Sequence, residues 1–423
     1  MNPQPLDRFA ARLRPEVQQS VHLGCAGATQ ARLNALTRDF EDPEPLRQLA
    51  AEIRQHTLDH LDTYLEAAES AMRRRGIAVH FAEDGETARK SILSLLQEHG
   101  AQRVCKSKSM ASEEIDLNSY LARAGVTVVE TDLGEFIIQL DNDHPSHVVR
   151  PIAHRNRGDV AATFQKHGLG DWDDRPEIIT QRARAYMRSQ YLSSDAALTG
   201  GNFISAESGR LVLVTNEGNA RFSLAGSRLH IALVGIEKIV PRDRDLSVLL
   251  GLLARSATGQ HLSVYTEFVA GPKAPGQPDG PAAMHVILFD NHRSTVLASS
   301  CREILRCIRC GACMNVCPVY RQASGHAYRH VYPGPLGAVL GPLLRDPAAF
   351  PEMADLPKAS SLCGACQEVC PVDIPIPELL LRLRDRAHRE KVPSSGGSLP
   401  LREWSHLASH PLAWRAALFA GAA

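Results

Sequence analysis

Residues 306–321 read RCIRCGACMNVCPVYR, and residues 361–372 read SLCGACQEVCPV. The first is a C-x2-C-x2-C-x3-C-P run through Cys307, Cys310, Cys313, Cys317 and Pro318; the second is a shortened C-x2-C-x3-C-P through Cys363, Cys366, Cys370 and Pro371. A [4Fe-4S] cube takes four thiolates at tetrahedral corners. Three cysteines three residues apart wrap one cube within a single loop, and the fourth, carried away by its proline, ligates a second cube. The spacing therefore predicts two cubanes, one on Cys307, Cys310, Cys313 and Cys370, the other on Cys317, Cys363 and Cys366. Zinc ribbons instead use two separated C-x2-C pairs. Disulfides are disfavoured because the N-terminus, MNPQPLDRFAARLRPE, has no apolar signal segment, which predicts a cytosolic chain with reduced thiols.

Aligned on their Cys-Pro ends, the two motifs differ at one place: Ser360 stands where the first motif has Cys307. The second cluster thus has three certain protein ligands. Serine oxygen, a partner's side chain, a bound small molecule, a three-iron cluster or Cys301 would each fill the gap. Cys301 also reads simply as a buried helical cysteine.

The chain has 423 residues, 44% hydrophobic and 22% charged, which suits a soluble globular protein of two domains. Its 47 basic and 47 acidic side chains balance, so no overall field favours nucleic acid or an anionic membrane. No apolar run approaches the roughly eighteen residues of a transmembrane helix.

Apolar positions at helical spacing predict a long helix over 42–76, ended by Gly76. Strand 77–81, helix 87–97, strand 103–105, helix 112–124 and strand 126–130 follow, an alternation that implies βαβ units and a mostly parallel sheet. A helix over 176–191 leads to strands 196–204, 210–215 and 230–239, with Ser208 and Gly209 as a hairpin turn finishing the sheet. Helix 244–255 and strands 263–268 and 283–289 complete an α/β domain over 42–291, preceded by an extension over 1–41. Residues 295–391 read as a helical ferredoxin-like domain, with the Gly- and Pro-rich segment 328–344 as irregular loop. Residues 392–423 read as a linker, at 394–397, and a short tail.

Other residues suggest chemistry. Lys106 and Lys108, in KSKSM between a strand and a helix, suit a carboxylate or phosphate, although a capped, solvated turn explains them equally. Glu217 follows a strand end, where ligands bind in open α/β sheets; turn geometry alone accounts for Gly218 and Asn219. There is no G-x-G-x-x-G or Walker fingerprint. His144, His147 and His154, near Asp141 and Asp143, resemble a metal set on paper but have no helical spacing to support it.

With these residues in view, the chain resembles the lactate utilization protein B family, the iron-sulfur subunit of a lactate-oxidising system, over about residues 32–391. The matching segments are KSKSMASEEI at 106–115, VETDLGEFIIQL at 129–140, VTNEGNARF at 214–222, VGIEKIVP at 234–241 and both cysteine runs. The resemblance implies a LUD-type domain similar to sugar isomerases and CoA transferases, then a ferredoxin-like domain with two [4Fe-4S] clusters on the seven cysteines named above. It implies oxidation of L-lactate to pyruvate with two companion subunits, one cysteine-rich and one LUD-only. It also implies that the missing eighth cysteine is a family property.

A cubane transfers one electron at a time and accepts no hydride, so the expected role is an electron-transfer subunit passing electrons to an unidentified acceptor. The alternatives are that this chain is the catalytic subunit, with Lys106 or Lys108 holding the carboxylate and Glu217 as base, or that it oxidises another 2-hydroxy acid. The expected location is cytoplasmic, with any membrane contact made peripherally through a partner.

Overall fold

The computed structural model describes residues 9–392 and 398–420; the linker predicted at 394–397 lies outside them. Ten strands occur among the described residues. In chain order they are β1 (Ala78–Ala82), β2 (Arg103–Lys106), β3 (Thr127–Glu130), β4 (Ala196–Thr199), β5 (Phe203–Ser205), β6 (Leu211–Thr215), β7 (Leu229–Gly235), β8 (Ile239–Val240), β9 (Tyr265–Val269) and β10 (Ala283–Phe289).

The larger sheet has the order β1-β10-β7-β4-β2-β3, and every pair is parallel. Parallel neighbours need crossovers, and here helices cover both faces. Ala88, Ile92 and Leu96 of helix Gly85–Glu98 pack on Val104, Leu198 and Leu233. On the other face Ala68 and Met72 of helix Leu61–Arg74 pack on Val79, Ala232 and Val286. Central β7, LHIALVG, is buried at every position, which is why it reads as a continuous apolar run.

The smaller sheet runs β8-β5-β6-β9. Its β5–β6 pair is antiparallel and turns at Gly209 (φ 67°), the hairpin that the sequence predicts. The predicted strands over 196–204 and 230–239 are not single strands. Each is cut, its first part lying in the parallel sheet and its second in the smaller one. The first crossing passes through Gly200 and Gly201, and a Cβ on Gly201 would sit 2.7 Å from Leu211 Cδ1 and 2.9 Å from Val234 Cγ2. The second passes through the turn Ile236–Lys238.

Two predicted helices are also divided. The one over 42–76 breaks at His60 into Glu44–Asp59 and Leu61–Arg74, because the halves serve different cores: Ile53 and Leu58 join the cysteine-rich region, whereas Leu61 joins β1 and β8. The one over 112–124 breaks at Asp116, which takes a left-handed φ of 47°.

From Arg293 onward the described residues contain no strand. The segment predicted as loop over 328–344 holds a buried helix, Gly334–Leu343. Of its two prolines, Pro335 lies in the first turn, where no backbone donor is needed, and Pro342 lies in the last. Its glycines admit close neighbours, Gly334 against Met314 and Gly337 against the Tyr332 carbonyl.

The N-terminal helices hold this region on the α/β domain. Helix Pro15–Asp39, within the 1–41 extension, buries Val21 and Cys25 in one core with Met314 and Tyr320, and Arg32 donates to the Val369 carbonyl at 3.1 Å. Arg54, 1% exposed, forms the deepest join. Its guanidinium donates to the carbonyls of Ile239 (2.8 Å), Leu305 (3.1 Å), Arg306 (3.2 Å) and Glu237, two from each side. Beyond the body, helices Ser398–Ala408 and Pro411–Ala420 meet through Trp404 and Trp414. No helix among the described residues is long and apolar enough to cross a membrane.

Replacing Arg54 with Met leaves these buried carbonyls without their donor. The free energy of unfolding of the Arg54→Met chain, measured by denaturant titration, is expected to fall by roughly 3 kcal/mol or more. An unchanged midpoint and slope would contradict the role given to this residue.

Candidate redox centre and adjoining cavity

Both cysteine motifs contain the tetrapeptide CGAC, and both fold alike. Arg309 and Leu362, each preceding the first cysteine of the tetrapeptide, have left-handed φ values of 62° and 56°. Gly311 and Gly364 follow with φ of 76° and 86° and open short helices, Ala312–Val316 and Ala365–Glu368, that carry Cys313 and Cys366. Helix Pro318–Ala323 then leads away from Cys317, with Pro318 in its first turn. The repeat in sequence is therefore a repeat in backbone.

The thiols gather in two sets. Cys307, Cys310 and Cys370 lie within one another's electrostatic reach and all three act on Cys313, whereas Cys317, Cys363 and Cys366 act on one another. Cys313 also feels Cys366, so the sets are neighbours. Burial, followed by the charge of Cys370, pushes the Cys310 thiol up to about 12. Burial and then Cys317 and Cys363 do the same to Cys366, also to about 12. Burial raises Cys370 to about 11 against the opposing N–H of Ile374. Thiols crowded in this way keep their protons until a metal displaces them.

Several donors around the sets suit sulfur acceptors. Backbone N–H groups of Arg309, Tyr320 and Ile374 point at Cys307, Cys317 and Cys370 Sγ at 3.4, 3.5 and 3.4 Å. The buried Tyr328 hydroxyl has no partner among the described residues, and the charges that act on it include Cys317 and Cys313. Buried donors are normally paired. Thiol sets, backbone donors and this orphaned hydroxyl together fit iron-sulfur clusters, whose sulfurs accept such bonds.

The candidates for the missing ligand separate. Ser360 Oγ accepts the Leu362 N–H at 3.1 Å, a turn role. Cys301 is buried among Ser300, Arg382 and Glu303, and no cluster cysteine is prominent around it. Cys25, not singled out by the sequence, is buried within reach of Cys317.

A cavity of about 360 Å³ lies where the carboxyl ends of β2, β3, β4 and β7 face the Cys307 loop. Strand order reverses between β2 and β4, the kind of position where open α/β sheets bind ligands. Lys108 and Glu217 both line it. Lys108 Nζ donates to the Val149 carbonyl at 2.8 Å, and Glu217 Oε2 accepts the Leu133 N–H at 2.9 Å. Burial, then the Asp132 charge, raises the Glu217 carboxyl to about 7. Lys106 does not line the cavity. Fully buried, it is paired with Glu130 at 2.6 Å and Glu113 at 3.0 Å.

The cavity also holds residues that motif reading missed. Glu237 bonds Arg293 at 2.6 Å and Arg309 at 3.2 Å; although burial opposes ionisation, Arg293, Lys238 and Arg309 hold its carboxyl down at about 2. Arg309, over the Tyr332 ring, lies between two cluster cysteines in sequence. A charged pair, Glu237–Lys238, interrupting the apolar run VGIEKIVP was the available signal. The three predicted histidines do not converge: His154 bonds Asp143 and Ser146 and stands with His326, His147 bonds Asn315, and His144 contributes its carbonyl to His326.

The LUD domain family model matches residues 65–289, and the 4Fe-4S dicluster domain model matches residues 303–374. The uncharacterized electron transport protein YkgF of Escherichia coli strain K12 is 41% identical over 418 residues, 98% of this chain and 87% of its own. Lactate utilization protein B of Bacillus subtilis strain 168 is 41% identical, covering 94% of this chain and 82% of its own, and that of Bacillus cytotoxicus is 43% identical over 94% and 83%. A LUD domain and an iron-sulfur domain in one chain, together with relatives alike over nearly its whole length, place this protein in the lactate utilization protein B family.

Proposed function

We propose that this chain is the electron-transfer subunit of a cytoplasmic system that oxidises L-lactate to pyruvate. It works with two companion subunits, one cysteine-rich and one LUD-only, and with an electron acceptor outside the chain. The observation that carries this reading is the unequal setting of the two neighbouring thiol sets. The Cys307 set, with two thiols buried and two half-buried, adjoins the cavity through Arg309, whereas the Cys317 set, with two thiols buried, reaches the surface at exposed Cys363. In this reading the first set serves a site inside the molecule and the second a partner.

Cys307, Cys310, Cys313 and Cys370 would hold one [4Fe-4S] cluster, and Cys317, Cys363 and Cys366 would hold a second. Clusters of this kind supply one-electron acceptance and donation. Oxidising a 2-hydroxy acid removes two electrons and two protons, so two neighbouring one-electron centres match the count. The names of the relatives, electron transport protein and lactate utilization protein B, agree with this role. A second reading, that this chain itself binds the acid, is favoured by the cavity bearing Lys108 and Glu217.

Anaerobic cluster bleaching by L-lactate separates the two readings. The relay predicts none for the purified chain alone and full bleaching once both companions are added; bleaching of the isolated chain would overturn it. The Cys366→Ser variant is expected to keep about half its iron yet to lose lactate-dependent reduction of the acceptor. Retained turnover would remove the Cys317 set from the path.

A further inference from the structure

Two cations in the cavity have unfilled valence. Arg309 is 10% exposed; among the described residues its Nε and Nη1 have no hydrogen-bond partner, while its side chain lies against the Cys307 thiol. Lys238 makes no hydrogen bond or ion pair among the described residues; burial, then repulsion by Arg309, lowers its amine to about 7, against the attraction of Glu237 and Cys307. The neighbouring carboxylates are committed elsewhere. Glu237 holds Arg293 and Arg309 Nη2, Asp132 caps helix Leu133–Leu140, and Glu217 accepts the Leu133 N–H. Spare guanidinium and amine donors lining a cavity select an anion.

Another part of the lining differs in kind. It comes from β6 and helix Asp243–Thr258 and presents Leu213, Val214, Leu253, Ala254 and Ala257. A volume of about 360 Å³ falls within the range of metabolite pockets, roughly 300–1,000 Å³. It exceeds what a three-carbon acid fills.

We propose that this cavity binds a monocarboxylate with an aliphatic chain, its carboxylate on Arg309 and Lys238 and its carbon chain on Leu213, Leu253 and Ala257. The inference rests on the reading that the Cys307 set holds a cluster only for one of its two readouts. Arg309 sits between Cys307 and Cys310 in the chain, and its backbone N–H points at Cys307 Sγ. An anion bound to its side chain therefore alters the electrostatic surroundings of that set.

The test uses the anaerobically purified full chain with its clusters, titrated with pyruvate, 2-oxobutanoate and 2-oxopentanoate. Binding is followed by equilibrium dialysis and by the electron spin resonance of the dithionite-reduced protein. Affinity is expected to rise roughly threefold to fourfold with each methylene, and the spectrum of one cluster is expected to shift saturably. Arg309→Gln and Lys238→Met, checked for retained iron and fold, should each weaken binding about tenfold or more. Absence of saturable binding would overturn the proposal. So would affinity that ignores chain length, or binding unchanged in both variants. A spectrum altered by Arg309→Gln but by no acid would likewise overturn it, assigning the guanidinium to the cluster alone. Failure of the relay leaves the dialysis result standing, so the two readings fail separately.

Discussion

The carboxylate of Glu237 is the constraint on which the arrangement of this protein depends. It stands just beyond the carboxyl end of β7, 1% exposed, and binds Arg293 from the segment after β10 and Arg309 from the first cysteine loop. Arg293 in turn holds Glu114 at 2.7 Å, and Tyr332 donates to the same carboxylate. A buried charge left without its partner costs about 3–5 kcal/mol, so each member of this set requires the others. The backbone yields to the network: a Cβ on Gly235 would collide with Glu237 and Arg293. Because Arg309 is held there, the first cysteine loop faces the cavity at the carboxyl edge of the parallel sheet.

The two CGAC loops show how one backbone solution serves two environments. Each uses a left-handed residue, a left-handed glycine and a short helix. The first loop is closed in by helix Pro15–Asp39, the Gly334–Leu343 helix and the 146–150 segment, where a Cβ on Gly311 would meet His147 Cε1 at 2.9 Å. The second opens to solvent at Cys363, and the position matching Cys307 is a serine engaged in its own turn. Burial and exposure of sulfur ligands are among the levers that set cluster potentials, so under the proposed relay the difference between the loops would separate the potentials of the two centres.

Much of this was legible in the sequence, and what was not has a physical cause. Cysteine spacing is local and chemically specific, so the clustering of the thiols could be anticipated, and the βαβ alternation carried the parallel sheet. The second sheet was hidden because β4 and β5, like β7 and β8, are joined by very short connections within apolar runs, and hydropathy does not reveal a change of sheet. Helix Gly334–Leu343 was hidden by its own composition, since its glycines serve close packing rather than turning. Lys108 and Glu217 could be placed near strand ends, but Lys106, two positions earlier and the last residue of β2, points elsewhere, into a nest of Glu113 and Glu130. Arg309 and Lys238 carry no motif. Their importance arises only when two regions distant in sequence meet.

The most direct test is the iron and acid-labile sulfide content of the anaerobically purified chain, combined with electron spin resonance of its reduced form. Two clusters on adjacent thiol sets predict about seven or eight iron atoms per chain and two paramagnetic centres whose signals are broadened by coupling to each other. About four iron atoms, zinc in place of iron, or two centres that ignore each other would contradict it.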